Sequence, residues 1–410
     1  MTKYLQSPII RFSEFDDDWK ISALGEVFSI INGYAFSSID SQTSGCRWVK
    51  IADVGINIMR NENKSFLPLQ FKEEHKKYVL FEGDYVVALT RPILQNKLKI
   101  ARIDEESNGS LLNQRVGKIK SDNVLGFVYF LLQKAVIIAN IENRIAGSDP
   151  PNLAPAEINS IKTRIPSLPE QQKIATFLSA VDTKIQQLQR KKELLEQYKK
   201  GVMQKIFSQE IRFKDEDGND YPDWEEKRLG EFTVITKGKG IAKIEVEEDG
   251  VTECIRYGEL YTTYSEVISI VKSRTNVELS TLILSQVNDV IIPSSGETHI
   301  DLATASYVPR GGIALGGDIN IIKSDQDGIF MAYCLNNEKK HEIARLAQGS
   351  SVIHLYPNHL KELSVILPCL VEQKRISDLL SMVDKKIAYI ELGITKIMDF
   401  KKGLLQQMFI

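Results

Sequence analysis

Apolar residues recur every seven positions along two stretches of this chain. Ile174, Val181, Leu188, Leu195 and Val202 form the first line, and Ile376, Val383, Ile390, Ile397 and Leu404 the second. A neighbouring line widens each stripe: Leu178, Ile185 and Ile206 in the first, Leu380, Ile387, Ile394 and Met408 in the second. The faces between carry Lys191, Lys192, Glu193, Lys199 and Lys200. A heptad held this long predicts a helix that packs side by side with another. Each would run about 38 residues, or roughly 57 Å. The economical arrangement pairs the two antiparallel within the chain, with one globular domain at each end. The alternative, in which each helix packs on a second copy or another protein, stays open.

Outside the stripes the pattern changes. Val27–Ile31, Tyr85–Leu89 and Val290–Ile292 are short apolar or β-branched runs bounded by Gly, Asn or Pro, and predict strands. Val124–Ile145 and Ile329–Ala347 have helical apolar spacing and predict one helix each. Gly147-Ser148 and Gly349-Ser350 then stop those helices. Leu153-x-Pro155 and Leu355-x-Pro357 follow, and Ile165-Pro166 and Leu367-Pro368 close each segment, since proline disfavours helix in the residue before it. The predicted class is α/β (α+β). Four segments result: a globular domain at 1–166, a long helix at 167–208, a second domain at 209–368 and a second helix at 369–410.

The four segments are two copies of one unit. EQQKIATFLSAVDTKI from Glu170 returns as EQKRISDLLSMVDKKI from Glu372, with nine of sixteen positions identical and no gap. Arg11-Phe12, Trp19, Leu24-Gly25-Glu26 and Gly33 are matched by Arg212-Phe213, Trp224, Leu229-Gly230-Glu231 and Gly238. Between these landmarks the globular segments drift apart, whereas the helices hold. Two unlike recognition domains on two near-identical supports should bind something that itself has two parts.

At 410 residues the chain is too long for one ordinary core. Its net charge of −2 gives no uniformly basic surface, so any nucleic-acid contact must be a local patch. Cys46, Cys254, Cys334 and Cys369 are scattered, which indicates neither a zinc site nor a disulfide framework. The start lacks the apolar core of a signal peptide, and no stretch has the ~20 apolar residues of a membrane span. A cytoplasmic chain is expected.

The search for catalysis finds lookalikes. Asp149-Pro150-Pro151-Asn152 resembles the motif with which amino-methyltransferases hold a flipped base, but Asn152 stands where the stacking aromatic belongs. Gly311–Gly317 is glycine-rich without the Lys-Ser/Thr ending of a phosphate loop. The five histidines, His75, His299, His341, His354 and His359, show no metal spacing. Binding is the inference. A methyltransferase with its site at Asp149 and a purely structural coiled-coil adaptor are the readings it competes with.

The doubled series of Gly-Ser loop, Leu-x-Pro step, proline-closed strand and Glu-Gln-x-x-Ile helix start resembles the specificity subunit of type I restriction-modification systems, across essentially the whole chain. One departure is Leu367-Pro368-Cys369-Leu370-Val371, which lacks the second proline found at Pro169. The resemblance implies two pseudo-symmetric target recognition domains separated by two long antiparallel helices that form an intramolecular coiled coil. Each domain would read one half of a split double-stranded DNA target. The helices would fix the spacer and dock two modification subunits. Those subunits would hold S-adenosylmethionine and methylate adenine at N6, leaving this chain with no cofactor, no metal and no catalysis. Two ATP-dependent motor-nuclease subunits join in complexes that cleave. Because the recognition segments differ, the two half-sites should differ. Polar and basic loop residues are the candidate DNA contacts: Arg91, Gln95, Asn96, Lys97 and Lys99, with Arg115 and Arg144 behind them, then Lys237, Lys239, Lys243, Arg274, His299 and Arg310.

Overall fold

The structure is a computed structural model that describes residues 7–145, 149–349 and 353–410. It divides into two compact units, one of residues 1–189 with 392–410, the other of 190–391. Both long helices form: Leu168–Phe207 and Leu370–Gln407. Each unit therefore holds half of each long helix.

In the first unit a four-stranded antiparallel sheet runs in the order Ser29–Asn32, Val116–Lys120, Tyr85–Ala88, Ile100–Arg102. A smaller sheet joins Phe66–Leu67, Cys46–Val49 and Leu111–Leu112, the last two parallel. Lys20–Ala23 pairs with Lys162–Ile165 and brings the chain back to the start of the long helix. The second unit repeats this plan. Its larger sheet orders Thr233–Lys237, Ile319–Ser324, Val290–Pro293 and Ser306–Tyr307. Its smaller sheet orders Ser273–Thr275, Thr252–Ile255 and Ala314–Leu315, again with one parallel pair. Glu225–Arg228 pairs with Ser364–Leu367.

Three local expectations are corrected. Val124–Ile145 is two helices, Leu125–Leu131 and Ala135–Ile145, bent by 72°. Phe127–Leu131 are buried all round, while the second piece buries only the stripe Ile137, Ile138, Ile141 and Ile145. A single-striped helix must turn to lay that stripe on the core. Ile329–Ala347 likewise divides into Gly328–Asn337 and Lys340–Leu346. The run at Val27–Ile31 begins as a helical turn, Leu24–Val27, with the strand only from Ser29. Leu24 and Val27 are both buried, three apart, and Glu26 accepts from the Ala23 N–H at 3.0 Å. Gly147-Ser148 and Ser350 lie outside the described residues. No single helix among those described is long and apolar enough to cross a membrane.

Within each unit the helix halves pack antiparallel. Ile174 and Leu178, early in the first helix, share a core with Leu404, Met408 and Phe409 at the end of the second. In the other unit Met203, Ile206 and Phe207 share a core with Ile376 and Leu380. The pairing is thus inside the chain. None of the ten stripe residues is exposed: Ile174, Ile376, Val383, Ile390 and Leu404 are buried, and Val181, Leu188, Leu195, Val202 and Ile397 half-buried. Polar contacts fix the register. Lys401 meets Asp182 at 2.7 Å in one unit, and Lys199 meets Asp384 at 2.8 Å in the other. These are one ion pair made twice, because Lys199 corresponds to Lys401 and Asp182 to Asp384 in the repeat.

The Glu-Gln pair that opens each repeat is buried and hydrogen-bonded. Glu170 accepts from Arg11 Nε and Nη2, both at 2.8 Å, and from Trp19 Nε1 at 3.2 Å. Glu372 accepts from Arg212 Nη2 at 2.9 Å and Trp224 Nε1 at 3.2 Å. Gln171 donates to Pro166 O at 3.0 Å and accepts from Val124 N–H at 3.1 Å. Gln373 donates to Pro368 O at 2.9 Å and accepts from Asp327 N–H at 3.0 Å. Four side chains in each unit thereby tie the N-terminal segment, the core helix and the closing strand to one helix start. The guanidinium of Arg11 has its pKa raised, chiefly by the hydrogen bond to Glu170.

Removing one partner of such a buried pair leaves the other uncompensated and costs about 3–5 kcal/mol. Glu170→Ala should destabilise the first unit by about 3 kcal/mol in chemical denaturation. Arg11→Met with Glu170→Met should recover much of that loss. A double variant no more stable than Glu170→Ala would show that the pair is not the source.

Candidate nucleic-acid interface

In the first unit the strand ending at Ala88 leads into Leu89 and Thr90. Thr90 bridges to Asn152, with Thr90 Oγ1 donating to Asn152 Oδ1 at 2.7 Å. The chain then makes a hairpin, Ile93–Leu94 against Lys97–Leu98. Gln95 and Asn96 form its tip at φ 51° and 57°. Two left-handed residues make the tight turn whose twist suits a hairpin. Pro92 and Leu98 face inward, while Gln95, Asn96 and Lys97 stand in solvent. Arg91 is exposed beside them, and its N–H donates to Pro151 O at 2.7 Å. Arg91, Gln95, Asn96 and Lys97 therefore come together.

Lys99 and Arg144 do not join this group. Lys99 Nζ is half-buried against Ile51 O at 3.1 Å, and burial lowers its pKa. Arg144 donates to Asn140 O at 3.1 Å in the last turn of its own helix. Arg115 lies one strand over, exposed, with its carbonyl accepting from Leu89 N–H at 2.9 Å.

The Asp149–Asn152 loop is internally bonded. Pro151 O is taken by Arg91, and Asn152 Nδ2 donates to Pro150 O at 2.9 Å. The carbonyls that a methyltransferase motif would turn toward an amine here hold the hairpin and the loop.

The second unit has the same crossing with other side chains. Leu355 N–H donates to Ser294 O at 3.0 Å, as Leu153 N–H does to Leu89 O at 2.7 Å. Ser295 thus corresponds to Thr90 and His354 to Asn152. Ser295 Oγ lies 3.0 Å from His354 Nδ1. Tyr356, 45% exposed, lies tilted beside His354 with ring centres 6.1 Å apart, and Lys237 Nζ sits 6.0 Å from the Tyr356 ring. Lys237, His354 and Tyr356 form one group. Lys239 and Lys243 are exposed further along, and exposed His299 opens the short helix His299–Leu302, whose Leu302 is buried. Arg274 and Arg310 lie elsewhere, both lining a cavity of about 520 Å³ that Glu253 also lines. Arg274 donates to Val251 O at 2.8 Å, and Arg310 pairs with Glu253.

Sequence reasoning missed His354, Tyr356 and Asn152 as members of these groups. The signal was present: each of Asn152 and His354 immediately precedes a matched Leu-x-Pro step. The glycine-rich run at Gly311–Gly317 is a turn at Gly312, with φ 86°, followed by the strand Ala314–Leu315. No group of three or more His, Cys, Asp or Glu among the described residues could hold a metal.

Two α/β domains of one plan, each clamped to its own long helix and presenting a different polar face, define a duplicated recognition protein. The chain belongs to the type I restriction modification DNA specificity domain family, which it matches over residues 16–197 and again over 221–397. It is 31% identical over 207 residues to the MjaVIII specificity subunit of Methanocaldococcus jannaschii, a match covering 50% of this chain and about half, 49%, of that one. Over 390 residues it is 23% identical to the putative MjaX specificity subunit of the same organism, covering 92% and 89% of the two. The match to the EcoAI specificity subunit of Escherichia coli, 32% over 108 residues, covers 26% of this chain and only 18% of that subunit. The fold is similar to that of the type I S subunit from M. genitalium, with TM-score 0.65, 15% identity and coverage of 98% and 99%.

If the exposed lysines meet phosphates, each one removed should lower the salt dependence of DNA binding by about one counterion. Lys97→Ala and Lys237→Ala are expected to do so in titrations of the assembled complex at several salt concentrations. Arg274→Ala should instead lower stability and leave the slope unchanged.

Proposed function

We propose that this chain selects the DNA target of a type I restriction-modification complex and leaves the chemistry to its partners. The domain at 1–166 reads one half of a bipartite sequence and that at 209–368 the other. The helices at 167–208 and 369–410 set the spacer and offer docking surface to two modification subunits. Those subunits hold S-adenosylmethionine and methylate adenine at N6. Two ATP-dependent motor-nuclease subunits join where the complex also cleaves. The complex works on double-stranded DNA in the cytoplasm.

One observation carries this reading. The supports repeat down to individual hydrogen bonds at Glu170 and Glu372, whereas the crossings above them differ, Thr90 with Asn152 in one unit and Ser295 with His354 in the other. Unlike readers on like supports fit an asymmetric target.

Long-read mapping of methyladenine, in a host carrying this chain and its modification partner, tests the proposal. The expected result is one target of two unlike blocks with a fixed spacer. A continuous or palindromic target would contradict it.

The helices give a second test. Inserting one matched heptad in each adds ~10 Å of rise, or about three base pairs at ~3.4 Å each. The spacer should lengthen while both half-sites stay the same. Altered half-sites would show that reading and spacing are not separate.

A further inference from the structure

Each unit has a corner where three strands end together, and the two corners share one backbone. Gly33 N–H donates to Val116 O at 3.2 Å, and Gly238 N–H to Ile319 O at 2.9 Å. The next residues, Tyr34 and Lys239, donate to Leu112 O at 2.9 Å and Leu315 O at 3.0 Å. Asn113 donates to Val49 O at 3.1 Å, and Gly316 to Ile255 O at 2.9 Å. These bonds equate Tyr34 with Lys239, Lys50 with Arg256, Gln114 with Gly317 and Arg115 with Asp318.

The approach is too close for any side chain at the two glycines. A Cβ on Gly33 would stand 2.2 Å from Asn113 O, and one on Gly238 2.1 Å from Gly316 O. The second corner also carries an additional residue. Gly317 N–H donates to Gly240 O at 2.7 Å, where Gln114 N–H donates to Tyr34 O at 2.9 Å. Ile241 follows at φ 63°, an unfavourable conformation for a β-branched residue. It is held by burial among Cys254, Leu282 and Ala314. Both corners are therefore closely packed crossings of backbone.

What they present is unlike. Gln114 and Arg115 are exposed in the first, with Lys50 half-buried beside them. In the second, Lys239 and Asp318 are exposed, and Arg256 and Asp318 line a cleft of about 370 Å³. Arg274 and Arg310 are bonded within the chain. By contrast, the side chains of Gln114, Arg115, Arg256 and Asp318 make no hydrogen bond or ion pair among the described residues. Their chemistry matches base edges. A glutamine amide offers the donor and acceptor that adenine requires, a guanidinium the paired donors for guanine, and a carboxylate the acceptor for the cytosine amino group.

We infer that these twin corners hold specificity-determining residues, Gln114 and Arg115 for one half-site and Arg256 and Asp318 for the other. The inference rests on the proposed function. Equivalent backbone positions, filled differently, make the two half-sites unlike.

The test uses complexes with modification subunits, and duplexes bearing every single base-pair change across both mapped half-sites. Competition binding gives the discrimination at each position. Gln114→Ala should lose about 10-fold or more at one base pair of one half-site and nothing in the other. Asp318→Asn should do the same in the opposite half-site, with a changed base preference there. Discrimination within about two-fold of the parent at every position in both variants would overturn the inference. So would a uniform loss across all duplexes, which marks a phosphate contact, or both variants acting on one half-site. A parent complex with no bipartite target would overturn the proposed function itself, and is read before any variant.

Discussion

The buried carboxylate at the head of each long helix is the contact on which the rest depends. Glu170 and Glu372 are 1% and 0% exposed, and each gathers an arginine and a tryptophan from the start of its own repeat. A charge so buried is stable only when paired and hydrogen-bonded. That requirement fixes the helix start against a segment roughly 150 residues earlier in the chain. The adjacent glutamine extends the constraint to the core helix and the closing strand. A recognition domain hung on a loop would swivel, whereas one clamped at three places to a helix start has a defined pose. The same residues that look like a sequence signature are thus the joint between reader and support.

The helix pair carries that constraint onward. Each long helix begins in one compact unit and ends in the other, and the Lys–Asp pair that sets its register occurs once in each. Lys401 also meets Gln133 at 3.2 Å, and Lys199 meets Glu266 at 3.2 Å, so the register of the pair is tied to the domain above it. Lys401 is 9% and Lys199 15% exposed, and an ion pair so withdrawn from water adds little net stability over well-packed apolar residues. Their value here is specificity, since a slip of one heptad would leave both lysines and both aspartates unmatched.

Much of this was legible in the sequence, because repetition and periodicity are strong signals. The heptad lines gave both long helices, and the matched Arg, Trp and Glu landmarks gave the duplicated plan. What periodicity could not show was where an apolar run bends. Val124–Ile145 reads as one helix because both pieces are apolar at helical spacing, and only the change from all-round burial to a single stripe shows the break. The candidate contacts divided for a similar reason. Arg91 and Lys97 are exposed as their loop positions suggest. Lys99, Arg274 and Arg310 look alike in sequence but are held by Ile51 O, Val251 O and Glu253. A basic residue in a loop says nothing about which carbonyl folds back on it. Gln114, Arg256 and Asp318 were not among the candidates, although the match of Gly33 with Gly238 already pointed to their neighbourhood.

The proposed function turns on two unlike readers, each clamped to the start of a long helix, whose spacing the helix pair would set. A series of duplexes with the mapped half-sites held constant and the spacer varied one base pair at a time tests it most directly. Binding by the complex with its modification subunits should peak sharply at one spacer and fall about 10-fold or more one or two base pairs away. Equal binding across the series would mean that the readers move independently, and would contradict the account.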